Sequence, residues 1–121
     1  MTGPVQPTIS RMAAEDRPVL ILVTTGGRDD AERLAEGLVT SHLAACCSVV
    51  PMVHSVFYWE GRLRREHESL LLVKTAESRA EAAQEYIRGH HSYDVPEILK
   101  LSVDGGSPKY LQWLADQVSQ R

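Results

Sequence analysis

The chain has 121 residues, of which 43% are hydrophobic and 24% charged, a balance that fits one folded domain and excludes a large catalytic machine. Thirteen basic against 16 acidic side chains leave a formal charge of −3, so no global basic field draws it to nucleic acid or an anionic membrane. The longest apolar run, Val19 to Val23, falls far short of the ~20 residues that span a bilayer, and the opening stretch lacks the apolar core of a secretory signal. A cytoplasmic location is expected. Cys46 and Cys47, the only cysteines, are chain neighbours whose side chains point to opposite faces of a strand, so reduced thiols are expected rather than a disulfide framework.

Residues 1–16 carry two prolines and a glycine without sustained periodicity and are expected to be a flexible tail, followed by a single domain over 17–121. Val19 to Val23, bounded by Pro18 and Gly26-Gly27, predicts a central strand buried on both faces. Asp29 or Asp30 can cap the next helix, whose Ala31, Leu34, Ala35, Leu38, Val39 and His42 share one face. Ala44 to Trp59 and Arg62 to Thr75 then predict a long hairpin across Glu60-Gly61, with Pro51 at a bulge or edge position because proline cannot donate to the ladder. Ser78-Arg79-Ala80-Glu81 matches a capping box that opens a second helix reaching Gly89 to His91. Ile98 to Val103 reads as a strand, and Ser107-Pro108 as the start of a last helix with Leu111, Leu114, Ala115 and Val118 inward.

This order predicts an α+β fold: a ferredoxin-like split βαβ sandwich with an antiparallel sheet, a long hairpin between its second and third strands, and an extra C-terminal helix. A hairpin arm of ~14 residues reaches about 46 Å, against a diameter of about 33 Å for a domain of this size, so the tip should overhang its own core. That tip carries Val56, Phe57, Tyr58, Trp59 and Leu63, apolar surface that another copy of the chain could cover. A shorter second arm, with Arg62 to Glu68 as a solvated loop, is the plainer alternative.

Four groups could carry chemistry, each with a structural alternative. Cys46 or Cys47 could serve as a nucleophile, yet no neighbouring feature supplies both a base and an oxyanion donor, and buried thiols filling the core are the favoured reading. His90, His91, Tyr93 and Glu97 are the densest set of potential metal donors, in a spacing unlike zinc-finger or H-E-x-x-H patterns. The same residues could simply end a helix and start a strand. Arg62, Arg64, Arg65 and Lys74 form a basic strip that Glu60, Glu66 and Glu68 largely cancel. Gly26-Gly27 before a helix fits an ordinary turn better than a phosphate loop.

Taken in order, V-L-I-L-V-T-T, L-A-A-C, F-Y-W-E-G-R-L, L-L-L-V-K-T, H-x-Y-D-V-P-E-I and Y-L-Q-W-L resemble the divalent-cation tolerance proteins of the CutA family over about residues 19–115. The resemblance implies trimers of ferredoxin-like subunits whose hairpins join neighbouring sheets, and a role in tolerating copper and other divalent cations. It places the family's Trp-Glu-Gly turn on Trp59, Glu60 and Gly61, its lysine-threonine pair on Lys74 and Thr75, and its cysteine on Cys46. The histidine and glutamate implicated in metal binding fall on His90 and Glu97. Two departures stand out: Ser92 replaces a proline in H-P-Y, and Val23, Thr24 and Thr25 stand where some members carry a first-strand cysteine.

The expected protein is therefore a non-enzymatic homotrimer with Phe57, Tyr58, Trp59, Glu60 and Gly61 at the interface. It would bind copper or zinc weakly through His90, His91 and Glu97, or a small ligand in an inter-subunit cleft near Cys46, Lys74 and Tyr93. No organic cofactor, nucleic acid or membrane is called for, and no protein partner is named. The alternatives are a metal-independent signalling or scaffold trimer and a thiol enzyme.

Overall fold

The computed structural model describes residues 16–119. The expected tail therefore lies, except for Asp16, outside the described residues. Strand β1 (Pro18–Thr25) leads to helix α1 (Arg28–Thr40), then β2 (Cys46–Trp59), β3 (Arg62–Ala76), α2 (Glu77–His90), β4 (Ile98–Ser102) and α3 (Pro108–Val118). The four strands form one antiparallel sheet in the order β2-β3-β1-β4. This is the expected α+β arrangement, with β1 in the interior because its apolar residues serve both faces of the sheet.

One face is closed by α1 and α2 over Ile21, Val23, Leu71 and Val73, which interdigitate with Leu34, Leu38, Ala83 and Ile87. Strand alternation puts Leu20, Leu22, Leu70, Leu72, Leu99 and Leu101 on the other face. Only α3 crosses that side, packing Leu114 and Val118 on Ala45 and Ala76 at one end. Most of the second face is left uncovered, and Leu99 and Leu101 are 53% and 43% exposed.

The hairpin is strand along both arms. β1 pairs with β3 only over Ser69–Ala76, so the seven rungs from Val53–Glu68 to Trp59–Arg62 extend as a two-stranded ribbon of roughly 23 Å. Its turn has positive φ at Glu60 (53°) and Gly61 (79°), the backbone of a tight two-residue hairpin loop. Pro51 does sit at an irregularity: the register shifts between Val50 and Val53, and the buried Ser69 hydroxyl donates to the Pro51 carbonyl at 2.6 Å.

Three helix ends differ from expectation. Ser78 is not the cap of α2; Ala76 holds that position without a side-chain bond, and Asp16 accepts from the Ser78 backbone N–H (2.9 Å) and hydroxyl (2.7 Å). Such a cap is worth about 1 kcal/mol. Asp16, expected from the sequence to lie in the tail, is thus tied to the start of α2. Neither Asp29 nor Asp30 caps α1, whose cap position is Gly27; both lie in its first turn, where their charge suits the helix dipole. His42 lies beyond α1 in the left-handed region (φ 61°), allowing the Leu43 and Ala44 N–H groups to reach the Leu38 carbonyl.

Helices α1 and α2 meet closely at Gly37, where an added Cβ would collide with the ring and hydroxyl of Tyr86, while Gly89 has open space around it. Gly37→Ala should lower urea-measured stability by about 1–2 kcal/mol despite alanine's better helix propensity. Gly89→Ala should be neutral or stabilising by up to about 1 kcal/mol.

Candidate functional site

Two polar clusters lie toward opposite ends of the uncovered sheet face. The first is built on the Cys46–Lys74 rung: Lys74 Nζ donates to Ser48 Oγ at 2.7 Å and lies 3.9 Å from Cys46 Sγ. Tyr110 of α3 adjoins this group, and burial together with neighbouring Cys46 holds its hydroxyl above the ordinary tyrosine value. Cys47 turns the other way, against the helix-covered core. Burial, reinforced by Cys46 and opposed by Lys74, pushes the Cys47 thiol up to about 12, which leaves almost no thiolate at neutral pH. Thr75, fully buried, donates to the Leu43 carbonyl at 2.7 Å and anchors the chain entering β2.

The second cluster gathers where β1 ends and β4 begins. Glu68 is only 8% exposed, and its carboxylate accepts the Tyr93 hydroxyl at 2.8 Å. No ion pair reaches Glu68 among the described residues. Thr24 Oγ1 donates to Glu97 at 3.3 Å, so two carboxylates adjoin the Leu70 and Leu99 end of the open face. Burial, then the bond to Glu68 and the surrounding acidic charge, push the Tyr93 hydroxyl up to about 12.

The two histidines of the expected metal set have different commitments. His91 Nε2 donates to the Thr24 carbonyl at 2.7 Å, and its Nδ1 accepts the Tyr93 N–H at 3.0 Å. Both ring nitrogens are engaged, so His91 fixes the loop and would have to break one of these bonds to ligate a cation. His90 Nδ1 donates to the Tyr86 carbonyl at 2.8 Å, while its ring stacks on Tyr86 at 4.0 Å; its Nε2 remains open. Among the described residues, no three His, Cys, Asp or Glu side chains converge to hold a metal ion.

One chain does not bring Cys46, Lys74 and Tyr93 into a single cleft. Tyr93 is bonded to Glu68, six residues along β3 from Lys74 and thus roughly 20 Å away along the strand. Phe57, Tyr58, Trp59, Glu60 and Gly61 are all exposed at the ribbon tip. The Gly26-Gly27 turn has Asp29 and Asp30 beside it, the wrong charge for an anion. Ser48 and Tyr110 join these clusters without having been singled out from the sequence, while Glu68 and Thr24 were named there only as a cancelling charge and as a departure from the family pattern. The alternation Leu70-Leu72 and Leu99-Leu101 was the available signal for the face they border.

The model of the family described as CutA1 divalent ion tolerance protein matches residues 19–117. A rice protein named Protein CutA 1, chloroplastic, is 38% identical over 84% of this chain and 58% of its own length. A divalent-cation tolerance protein CutA from Pectobacterium atrosepticum is 41% identical over 82% of this chain and 94% of its own. The chain spans 58%, 53% and 60% of the length of its relatives from rice, Arabidopsis thaliana and Xenopus laevis. The crystal structure of CutA1 from Oryza sativa superposes with a TM-score of 0.82 at 38% identity, covering 84% of this chain and 94% of that one.

Two measurements check the electrostatics of these clusters. Iodoacetamide at pH 7.5 should leave Cys47 unmodified in the native protein; labelling at the rate of a free thiol would contradict the burial derived above. The Tyr93 hydroxyl ionises near 10 when unfolded and near 12 when folded. Its contribution to stability is therefore full below pH 10 and lost as pH rises through about 12. Tyr93→Phe should flatten that decline in urea titrations and remove the highest step from the phenolate absorbance curve.

Proposed function

The chain belongs to the CutA1 divalent ion tolerance protein family, and from that membership we propose that it acts as a cytoplasmic homotrimer in the response to divalent metal ions. The observation that carries this reading is the uncovered sheet face, whose leucines end in the carboxylates of Glu68 and Glu97. An apolar surface of this kind costs free energy in water, and a second copy can cover it. The ribbon supplies the reach: its exposed Phe57, Tyr58 and Trp59 extend beyond the sheet of their own chain. A tip that docks on a different surface of its neighbour forms a head-to-tail contact, which closes into a ring when the rotation between copies closes and otherwise runs on as a filament. Three is the number that the family resemblance implies.

In such a ring, clefts form where the acidic end of one face meets the next subunit. His90, through its open Nε2, and Glu97 are the cation donors of this reading, completed by water or by the neighbouring copy. Imidazole and carboxylate together suit copper or zinc, and two protein donors fit weak binding. Lys74, Cys46 and Tyr93 would meet only across subunits, as the walls of a site for a small ligand. The two unpaired cysteines fit a reducing compartment. No catalytic role is assigned to any residue.

The engagement of both His91 nitrogens favours a second reading, a metal-independent trimeric scaffold that acts through partner proteins. Solution mass and metal titration separate the two. The wild type should have the mass of three chains, and Leu99→Glu with Leu101→Glu should reduce it toward one. A wild-type monomer at micromolar concentration would overturn the assembly. Zn²⁺ should release heat that is reduced, by the share of one site, in His90→Ala with Glu97→Gln; a trimer whose heat is the same in wild type and variant would favour the scaffold.

A further inference from the structure

The five histidines divide by what their ring nitrogens do. His42, His90 and His91 each donate to a backbone carbonyl, of Gln117, Tyr86 and Thr24 respectively. His54 and His67 make no hydrogen bond or ion pair among the described residues. They are direct cross-strand partners on the ribbon, one on each arm, with ring centroids 4.5 Å apart and planes inclined at 59°. Both are exposed. The ladder holds their backbones in register, so the rings face each other before any ligand arrives.

This is a chelating separation. A metal–nitrogen bond of about 2.0–2.1 Å places the centroids of two imidazoles bound side by side on one ion roughly 4.5 to 5 Å apart. The remaining requirement is a lone pair from each ring, and neither ring has another use for it. Arg65 is next on the same face, where its long exposed side chain can extend into solvent; Glu66 and Glu68 lie on the opposite face. We propose that His54 and His67 form a two-imidazole site for a borderline divalent cation of the nickel, copper and zinc class, with water completing the coordination. Both ligands come from one chain, so the site does not depend on subunit contacts or on His90 and Glu97.

The test titrates the full-length protein with Ni²⁺ at pH 7.5, reading heat and the ¹⁵N ring signals of the histidines. In the wild type the His54 and His67 signals should broaden together at the first equivalent. His54→Ala and His67→Ala should each weaken binding at this site by about a hundredfold, because the second ligand no longer binds within the same chain. His90→Ala with Glu97→Gln should leave the broadening of the pair unchanged, so failure of the inter-subunit metal site would be distinguishable from failure of this one. Ring signals of His54 and His67 that stay sharp at saturating Ni²⁺ would overturn the proposal, as would unchanged affinity in a folded His54→Ala variant.

Discussion

The pairing of β1 with β3 is the constraint from which the other features follow. Its register sets Ile21 beside Val73 and Val23 beside Leu71, side chains that α1 and α2 must cover. The same register ends at Thr25 and Ser69 while β3 continues toward the turn with only β2 for company. Ribbon, open face and acidic end are therefore consequences of one ladder. At its end the Thr24 carbonyl holds His91 and the Thr24 hydroxyl meets Glu97, so the loop after α2 is positioned by β1 as well.

The two faces of the sheet have different physical requirements. The helix-covered face is closed within one chain, with Ile21, Val23, Leu71 and Val73 fully buried. The other face carries leucines of comparable size but only α3 at one end. A surface in which half-exposed leucines border a buried carboxylate combines two costs in water, apolar hydration and restricted solvation of charge. A neighbouring subunit can relieve the first and supply donors or a cation for the second. In the proposed trimer, assembly and ligand binding would therefore draw on the same set of strands.

Much of the architecture was legible because its signals are local. The run Val19 to Val23, the Glu60-Gly61 turn, the irregularity at Pro51 and the Ser107-Pro108 helix start each depend on a few adjacent residues. What escaped the sequence depends on partners distant along the chain. The cap of α2 comes from Asp16, so Ser78 and Glu81 offered a plausible but wrong local substitute. His42 continues the helical period in sequence but lies past the helix, bonded to Gln117. The expected donors His90, His91 and Glu97 are close in sequence, yet His91 is committed to Thr24 and Tyr93. Glu68 looked like one more charge on a solvated arm; it is buried, and its carboxylate is held by a tyrosine 25 residues away.

The irregularity at Pro51 determines the parity of the ribbon. Before it, Cys46, Ser48 and Val50 pair with Lys74, Leu72 and Leu70 on the open face; after it, Val53, Phe57 and Trp59 pair with Glu68, Arg64 and Arg62. One extra residue thus moves the odd-numbered side chains of the distal arm onto the face that the even-numbered ones occupied. Removing that residue while keeping the pairing of the first half would turn Phe57 and Trp59 to the back of the ribbon and bring Tyr58 and Val56 forward. Changes of length at this point are tolerable in pairs and disruptive singly. The side chains that the tip presents on each face are thereby controlled by a backbone step roughly 20 Å away along the strand.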